Sequence, residues 1–169
     1  MNMYADSDAA YLVAPKARSR IAGTFYFKNT TIPPHLPSAQ HPVHIECRCL
    51  RHVVSSAAEA ETAALFYNGT QIITFRRILH ALGHIQPPTP LKTDNSTAHN
   101  FIHNNMQQRK SKAWDMRYYW LKDRETKNEM KVYWKKGKDS TDPNRADYHT
   151  KHFPIIYHRG IRPTYVFDK

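Results

Sequence analysis

The chain opens with MYADSD, a short run that could start a strand, and RIAGTFYF (Arg20–Phe27) is short, aromatic and bounded by turn formers, which reads as a strand. VHIECRCLRHVV alternates apolar and polar residues for much of its length and predicts another. Between these two lies NTTIPPHLPSAQHP, whose four prolines make it a loop or a long hairpin connection. Three strands in series, the first carrying Asp6 and Asp8, predict an antiparallel meander.

The period then changes. SSAAEAETAALFYNG is rich in helix formers, with Ser56 and Glu59 spaced as a capping box and Gly69 as a stop. TQIITFRRILHALG places Ile72, Phe75, Leu79 and Leu82 at helical spacing and ends at Gly83. TPLKTD predicts a short strand stopping at Asp94, and NSTAHNFIHNN a helix capped by Asn95 or Ser96. KAWDMRYYWLKDRE predicts a stronger helix, with Trp114, Met116, Tyr118, Tyr119 and Leu121 available for packing, and EMKVYW a last strand. DPNRADYHTKHF predicts a short helix with Asp142 as N-cap and Pro143 at its first position. The order of elements predicts an α/β (α+β) layer fold with a mixed sheet over residues 1–153, followed by an irregular tail, 154–169.

Composition narrows the functional classes. With 169 residues, 40% of them hydrophobic, the chain suits one compact domain with a real core and excludes whole-chain disorder. The formal charge of +11 points to a polyanionic partner, chiefly nucleic acid or an anionic membrane. No apolar run suggests a membrane span or a signal peptide, so an intracellular protein is expected and the N-x-[ST] triplets at Asn29, Asn68 and Asn95 read as chance matches. Cys47 and Cys49, one residue apart on a strand, are placed poorly for a structural disulfide. With His35, His41, His44 and His52 they form a local cluster, but the spacing fits no standard zinc pairing.

Candidate chemistry lies in the acids. Asp6 and Asp8 would share a strand face, where like charges repel unless a positive group lies between them or one takes up a proton. Glu61 lies among small residues that let a helix approach a sheet closely, Asp94 ends a strand just before a helix, and Asp147 lies in the last short helix. Each singly reads as a solvated acid or a cap. Together, on a basic chain, they could form a metal cluster, because hard divalent cations take carboxylate oxygens and a pair of them can clamp both reacting oxygens of a phosphodiester.

The stretches YADSDAA, RIAGTFYF, HVVSSAAEAETAAL, ITFRRILHALG, LKTDNSTAHNFI, KSKAWDMRYYWLKDR and DPNRADYHTKHFP occur in one order and at similar spacing in a known family. From about Tyr4 to Pro154 the chain resembles the ribonuclease H domain of copia-type (Pseudoviridae) LTR retrotransposon polyproteins. The resemblance implies a ribonuclease H-like fold: a five-stranded mixed sheet, its first three strands antiparallel, with helices on both faces. It implies hydrolysis of the RNA strand of an RNA–DNA hybrid during reverse transcription, with two Mg²⁺ ions (Mn²⁺ as a substitute). It also implies a reverse transcriptase domain of the same polyprotein as partner, and a cytoplasmic virus-like particle or the nucleus as location. The family's catalytic and metal-binding acids carry over to Asp6, Glu61, Asp94 and Asp147, with Asp8 matching a secondary acid. Glu59 competes with Glu61 but has a job in the capping box. The usual Trp after the second Asp is absent, and KKGKDSTDPN contains no histidine to serve as the mobile helper of many cellular ribonucleases H.

Choice of RNA over DNA rests on 2′-hydroxyl contacts, for which Asn95, Ser96 and the backbone near Ser7 are candidates. Arg109, Lys110 and Lys112, and further on Lys135, Lys136 and Lys138, could track phosphates. Two other readings compete with a hybrid nuclease. One is a non-catalytic, domesticated or decayed nucleic-acid-binding domain of the same fold, against which retention of all four acids argues. The other is an integrase-like phosphoryl transferase, which needs a final Glu that does not appear after Glu129.

Overall fold

Three long strands, β1 (Asn2–Ala14), β2 (Arg18–Lys28) and β3 (Pro42–Cys49), form an antiparallel meander, and two short ones, β4 (Thr89–Thr93) and β5 (Met130–Trp134), extend it in parallel. The order across the sheet is β3-β2-β1-β4-β5. The structure is a computed structural model describing residues 1–28, 41–103, 112–136 and 143–166, the third range without the side chains of 112–115. Helix α1 (Ala57–Ala81) connects β3 to β4, and α2 (Ser96–His103) and α3 (Lys112–Thr126) connect β4 to β5. The chain ends in α4 (Asp147–Thr150), α5 (Ile155–Ile161) and a 3-10 turn, Arg162–Thr164.

Strand alternation divides the two faces. Ser7 and its partner Gly23 point toward α1, where Asn68 donates from Nδ2 to Ser7 Oγ and to the Ala22 carbonyl, both at 2.9 Å. Asp8 points to the other face, where the Thr150 hydroxyl of α4 donates to it. The core between α1 and the sheet is built from Met3, Ala5, Phe25, Leu65, Ile72, Leu91, Met130 and Val132, closed by Ile102 of α2 and Leu121 of α3.

Helix α1 runs unbroken through Gly69, where the sequence predicted a stop. A Cβ there would stand 3.0 Å from the Trp120 ring and 3.3 Å from the Met130 sulfur, so this glycine serves close packing rather than termination. The cap is as predicted in kind: Ser56 Oγ accepts from the Glu59 N–H at 3.1 Å, while Glu59 Oε2 accepts from Ser55 N and Oγ at 2.7 Å. Gly23 permits the close approach of α1, since a Cβ there would lie 2.1 Å from Asn68 Oδ1. Gly23→Ala is therefore expected to lower stability by about 1–3 kcal/mol, read by denaturant unfolding, because Asn68 must abandon two buried hydrogen bonds. Unchanged stability would mean that Asn68 has another low-energy position.

Other expectations shift. β3 stops at Cys49, because Leu50 and Val54 turn inward to pack on Ile21, Ala60 and Ala64. On α3, Tyr118 and Leu121 are buried, whereas Met116 and Tyr119 are exposed on the outer side; the Trp114 side chain lies outside the described residues. Helix α4 begins at Asp147, not at Pro143, since residues 143–145 are held as a loop by the strands beneath; Asp142 lies outside the described residues. The tail, predicted irregular, is helical at α5, because its aromatics find partners. Tyr148 lies 5.4 Å from Tyr165 and donates to or accepts from His158 Nδ1 at 2.7 Å, and Phe153 stacks on Tyr157 at 4.2 Å. Among the described residues no helix is long and apolar enough to cross a membrane.

Candidate active site

Parallel pairing of β1 with β4 sets Asp6 opposite Lys92 and so brings Asp8, two residues on, toward Asp94 at the end of β4. Glu61, in the second turn of α1, reaches the same strand end, where its Oε1 accepts from the Ala9 N–H at 3.3 Å. One carboxylate oxygen from each of Asp8, Glu61 and Asp94 lies within 4.8 Å of the others, the one group among the described residues whose ligand atoms converge this way. Helix α4 brings Asp147 close enough for its charge to act on Asp8 and Asp94, and Lys151, four residues on, pairs with Asp147.

The electrostatics follow from burial. Desolvation pushes the Asp8 carboxyl up to about 6, against the Thr150 hydrogen bond and the Lys151 charge, and Asp147 and Asp94 push the same way. Burial, followed by the charges of Asp8 and Asp94, raises Glu61 well above the ordinary carboxylate range. Asp94 is raised by burial and then by Asp147, with Lys151 opposing. Burial alone would weaken the Lys151 ammonium, but Asp147, Asp8 and Asp94 together hold its proton more firmly than usual. Glu61 Oε2 is buried with no hydrogen-bond partner. The pocket is a set of acids with less positive charge than it can hold. Its donor set is oxygen only, which suits a hard divalent cation, and the orphaned Glu61 oxygen is a place for one.

Asp6 is elsewhere. It is fully buried, accepts from Tyr26 Oη and the Arg145 N–H at 3.0 Å each, and faces Lys92 Nζ at 3.3 Å. Burial raises its carboxyl, and Lys92, the Arg145 N–H and Tyr26 pull it back. The expectation that Asp6 faces the acid pocket is thus corrected: the residue beside Glu61 and Asp94 is Asp8, because the strand end, not the strand middle, meets them. The opening repulsion between Asp6 and Asp8 is relieved by separate partners, Lys92 for one and Thr150 with Lys151 for the other.

Ser7 is also corrected as a nucleic-acid contact. It is fully buried, its hydroxyl accepts from Asn68 and its carbonyl from Asn144 Nδ2 at 3.0 Å. Asn95 caps α2 through its Oδ1, which accepts from the Ala98 N–H at 2.9 Å, and Ser96 beside it is exposed, so both border the end of β4. Lys136 is exposed just past β5. Arg109, Lys110 and Lys138, and the side chain of Lys112, lie outside the described residues. Lys92, Asn144, Thr150 and Lys151 were missed. For Lys151 a signal existed, its i, i+4 spacing to Asp147; the others depend on contacts far apart in sequence.

No protein-family model matches the chain. In sequence it is 32% identical over 102 residues, 60% of its length, to the retrovirus-related Pol polyprotein from transposon TNT 1-94 of Nicotiana tabacum, of which it spans only 7%. In structure it superimposes on LC11-RNase H1, solved in complex with an RNA/DNA hybrid, with a TM-score of 0.58 at 9% identity, covering 88% of this chain and 93% of that one. The RNase H domain of prototype foamy virus matches with a TM-score of 0.55 at 11% identity, over 88% and 89% of the two chains. The protease-reverse transcriptase of the same virus matches with a TM-score of 0.54 at 15% identity, over 98% of this chain and 21% of that one. Sheet order, strand directions and these superpositions identify the fold as that of ribonuclease H, and the motif resemblance to the ribonuclease H domain of copia-type retrotransposon polyproteins is supported by sequence and by fold.

Proposed function

We propose that this domain is a metal-dependent endoribonuclease that hydrolyses the RNA strand of RNA–DNA hybrids during reverse transcription, beside a reverse transcriptase domain of the same polyprotein. The observation that carries this reading is the meeting of Asp8, Glu61 and Asp94 at one strand end, with Glu61 Oε2 left without a partner. Asp8, Glu61, Asp94 and Asp147 would hold divalent ions, Mg²⁺ as the resemblance implies. Bound there, a pair of such ions supplies water activation near neutral pH and charge stabilisation of the leaving 3′ oxygen.

The chain's own residues do the rest. The Ala9 N–H orients Glu61, and the Thr150 hydroxyl orients Asp8, so that neither carboxylate must be ordered when a cation arrives. The indole of Trp134 donates to the Asp94 carbonyl at 3.0 Å and fixes the backbone at the end of β4. Lys151 supplies partial neutralisation of the pocket from α4. Asn95 and Ser96, next along the chain from Asp94, are the candidates for reading 2′-hydroxyls across the wide minor groove of the hybrid. The net charge of +11 attracts the phosphate backbone and makes binding strongly salt-dependent.

The test offers labelled RNA–DNA hybrid, duplex RNA and duplex DNA with Mg²⁺ to the wild type and to Asp94→Asn. Cleavage of the hybrid alone, lost in the variant and on chelation, is the expected result. Tight, salt-sensitive binding without cleavage would replace this reading with that of a non-catalytic nucleic-acid-binding domain.

A further inference from the structure

Helix α4 has four residues and no side-chain cap at Ala146, so it has no intrinsic stability with which to hold Asp147 in place. Its C-terminal end is held by Thr150 on Asp8 and by the Cys47 thiol, which donates to the His149 carbonyl at 3.1 Å; its N-terminal end, which carries Asp147, is placed by the loop before it. Lys92 Nζ donates to the Pro143 carbonyl at 3.0 Å, Asn144 Nδ2 to the Ser7 carbonyl at 3.0 Å, and the Arg145 N–H to Asp6 Oδ2 at 3.0 Å. These three bonds fasten consecutive loop residues to β1 and β4, two residues ahead of Asp147. Asp6 sits at their centre: its other oxygen accepts from Tyr26 Oη of β2 and faces Lys92 of β4. The Arg145 guanidinium adds a lid over the Tyr26 ring, 4.2 Å from its centroid. A carboxylate is required at Asp6 because one oxygen must serve the loop while the other answers a buried ammonium and a phenol.

We propose that Asp6 is a positioning residue, the anchor that holds the Asp147 helix over the acid pocket, and not a metal ligand. This rests on the nuclease reading for what Asp147 does, but not for the anchor itself. It explains why an acid two residues before Asp8 lies fully buried among fixed donors and away from the pocket where the other acids meet.

The test replaces the pair together, Asp6→Asn with Lys92→Met, because Asp6→Asn alone would leave Lys92 buried without its anion. Asn144→Ala is the second variant, removing one pin without touching a charge. Amide exchange at Arg145 reads the anchor directly, a Mg²⁺ titration by calorimetry reads the pocket, and hybrid cleavage against Mg²⁺ concentration separates affinity from turnover. We expect faster exchange at Arg145 and Mg²⁺ affinity lower by about 10- to 100-fold, the range for residues that orient ligands, with kcat recovering as Mg²⁺ is raised. Wild-type protection at Arg145 and wild-type Mg²⁺ affinity in both variants would overturn the proposal. So would a loss of cleavage that no Mg²⁺ concentration rescues, which would return Asp6 to the ligand set. If the wild type neither binds Mg²⁺ nor cleaves, the nuclease reading fails while the Arg145 exchange still decides the anchor.

Discussion

Asp8→Asn is expected to abolish hybrid cleavage while making the metal-free protein more stable. The two effects have one cause. Burial holds the Asp8 carboxyl at about 6, above its ordinary 3.8, so the folded state binds this proton more tightly than the unfolded chain does. Stability is therefore present at low pH and lost as pH rises from about 4 to about 6, by an amount on the order of 3 kcal/mol at neutral pH. Glu61 and Asp94, raised chiefly by the same burial, steepen the loss. Asparagine carries no charge to desolvate and relieves the repulsion on Glu61. Thermal unfolding without metal should show a midpoint that falls as pH rises from about 4 to about 6 in the wild type, falls less in Asp8→Asn, and is higher in the variant at pH 7. Added Mg²⁺ should stabilise the wild type far more than the variant, since a ligand bound only by the folded state shifts unfolding by mass action. Cleavage should drop on the order of 10³-fold or more, the loss of several kcal/mol of charge stabilisation. A variant that cleaves normally, or that is less stable than the wild type at pH 7, would refute the placement of Asp8 in a cation site.

Lys92→Ala should have the opposite signature. Lys92 is 1% exposed and faces a fully buried Asp6, so removing it strands a carboxylate where water cannot reach. Breaking one side of such a pair costs about 3–5 kcal/mol, which for a domain of this size lowers the unfolding midpoint by about 10 °C. Replacing both partners, Asp6→Asn with Lys92→Met, should recover most of that loss, because the apolar stem of methionine fills the lysine channel and no charge is left unpaired. A Lys92→Ala protein as stable as the wild type would show that the pair is not held as ions.

Much of the architecture was legible along the chain because its signals are local. The aromatic run around Phe25, the alternating run around Ile45, the capping box at Ser56 and Glu59, the Asn95 cap and the strand ending at Asp94 each depend on a few neighbouring residues. The local signals misled where packing overrode them. Gly69 carries the mark of a helix stop and instead admits Trp120 and Met130. The tail beyond Pro154 carries no strong helical pattern and is ordered as α5 and a 3-10 turn through the aromatic contacts around Tyr148.

What the sequence by itself determined is the five strands, the helical segments between β3 and the tail, their order and the acidic residues available to a site. The tertiary structure alone decided which acids meet. Asp6 and Asp8 are equivalent by strand alternation, and nothing local separates them. The parallel register of β1 on β4 does, by setting Asp6 against Lys92 and carrying Asp8 on to Glu61 and Asp94. Register is a property of two strands far apart in the chain, held by the packing of both faces, and so it cannot be read from either strand alone.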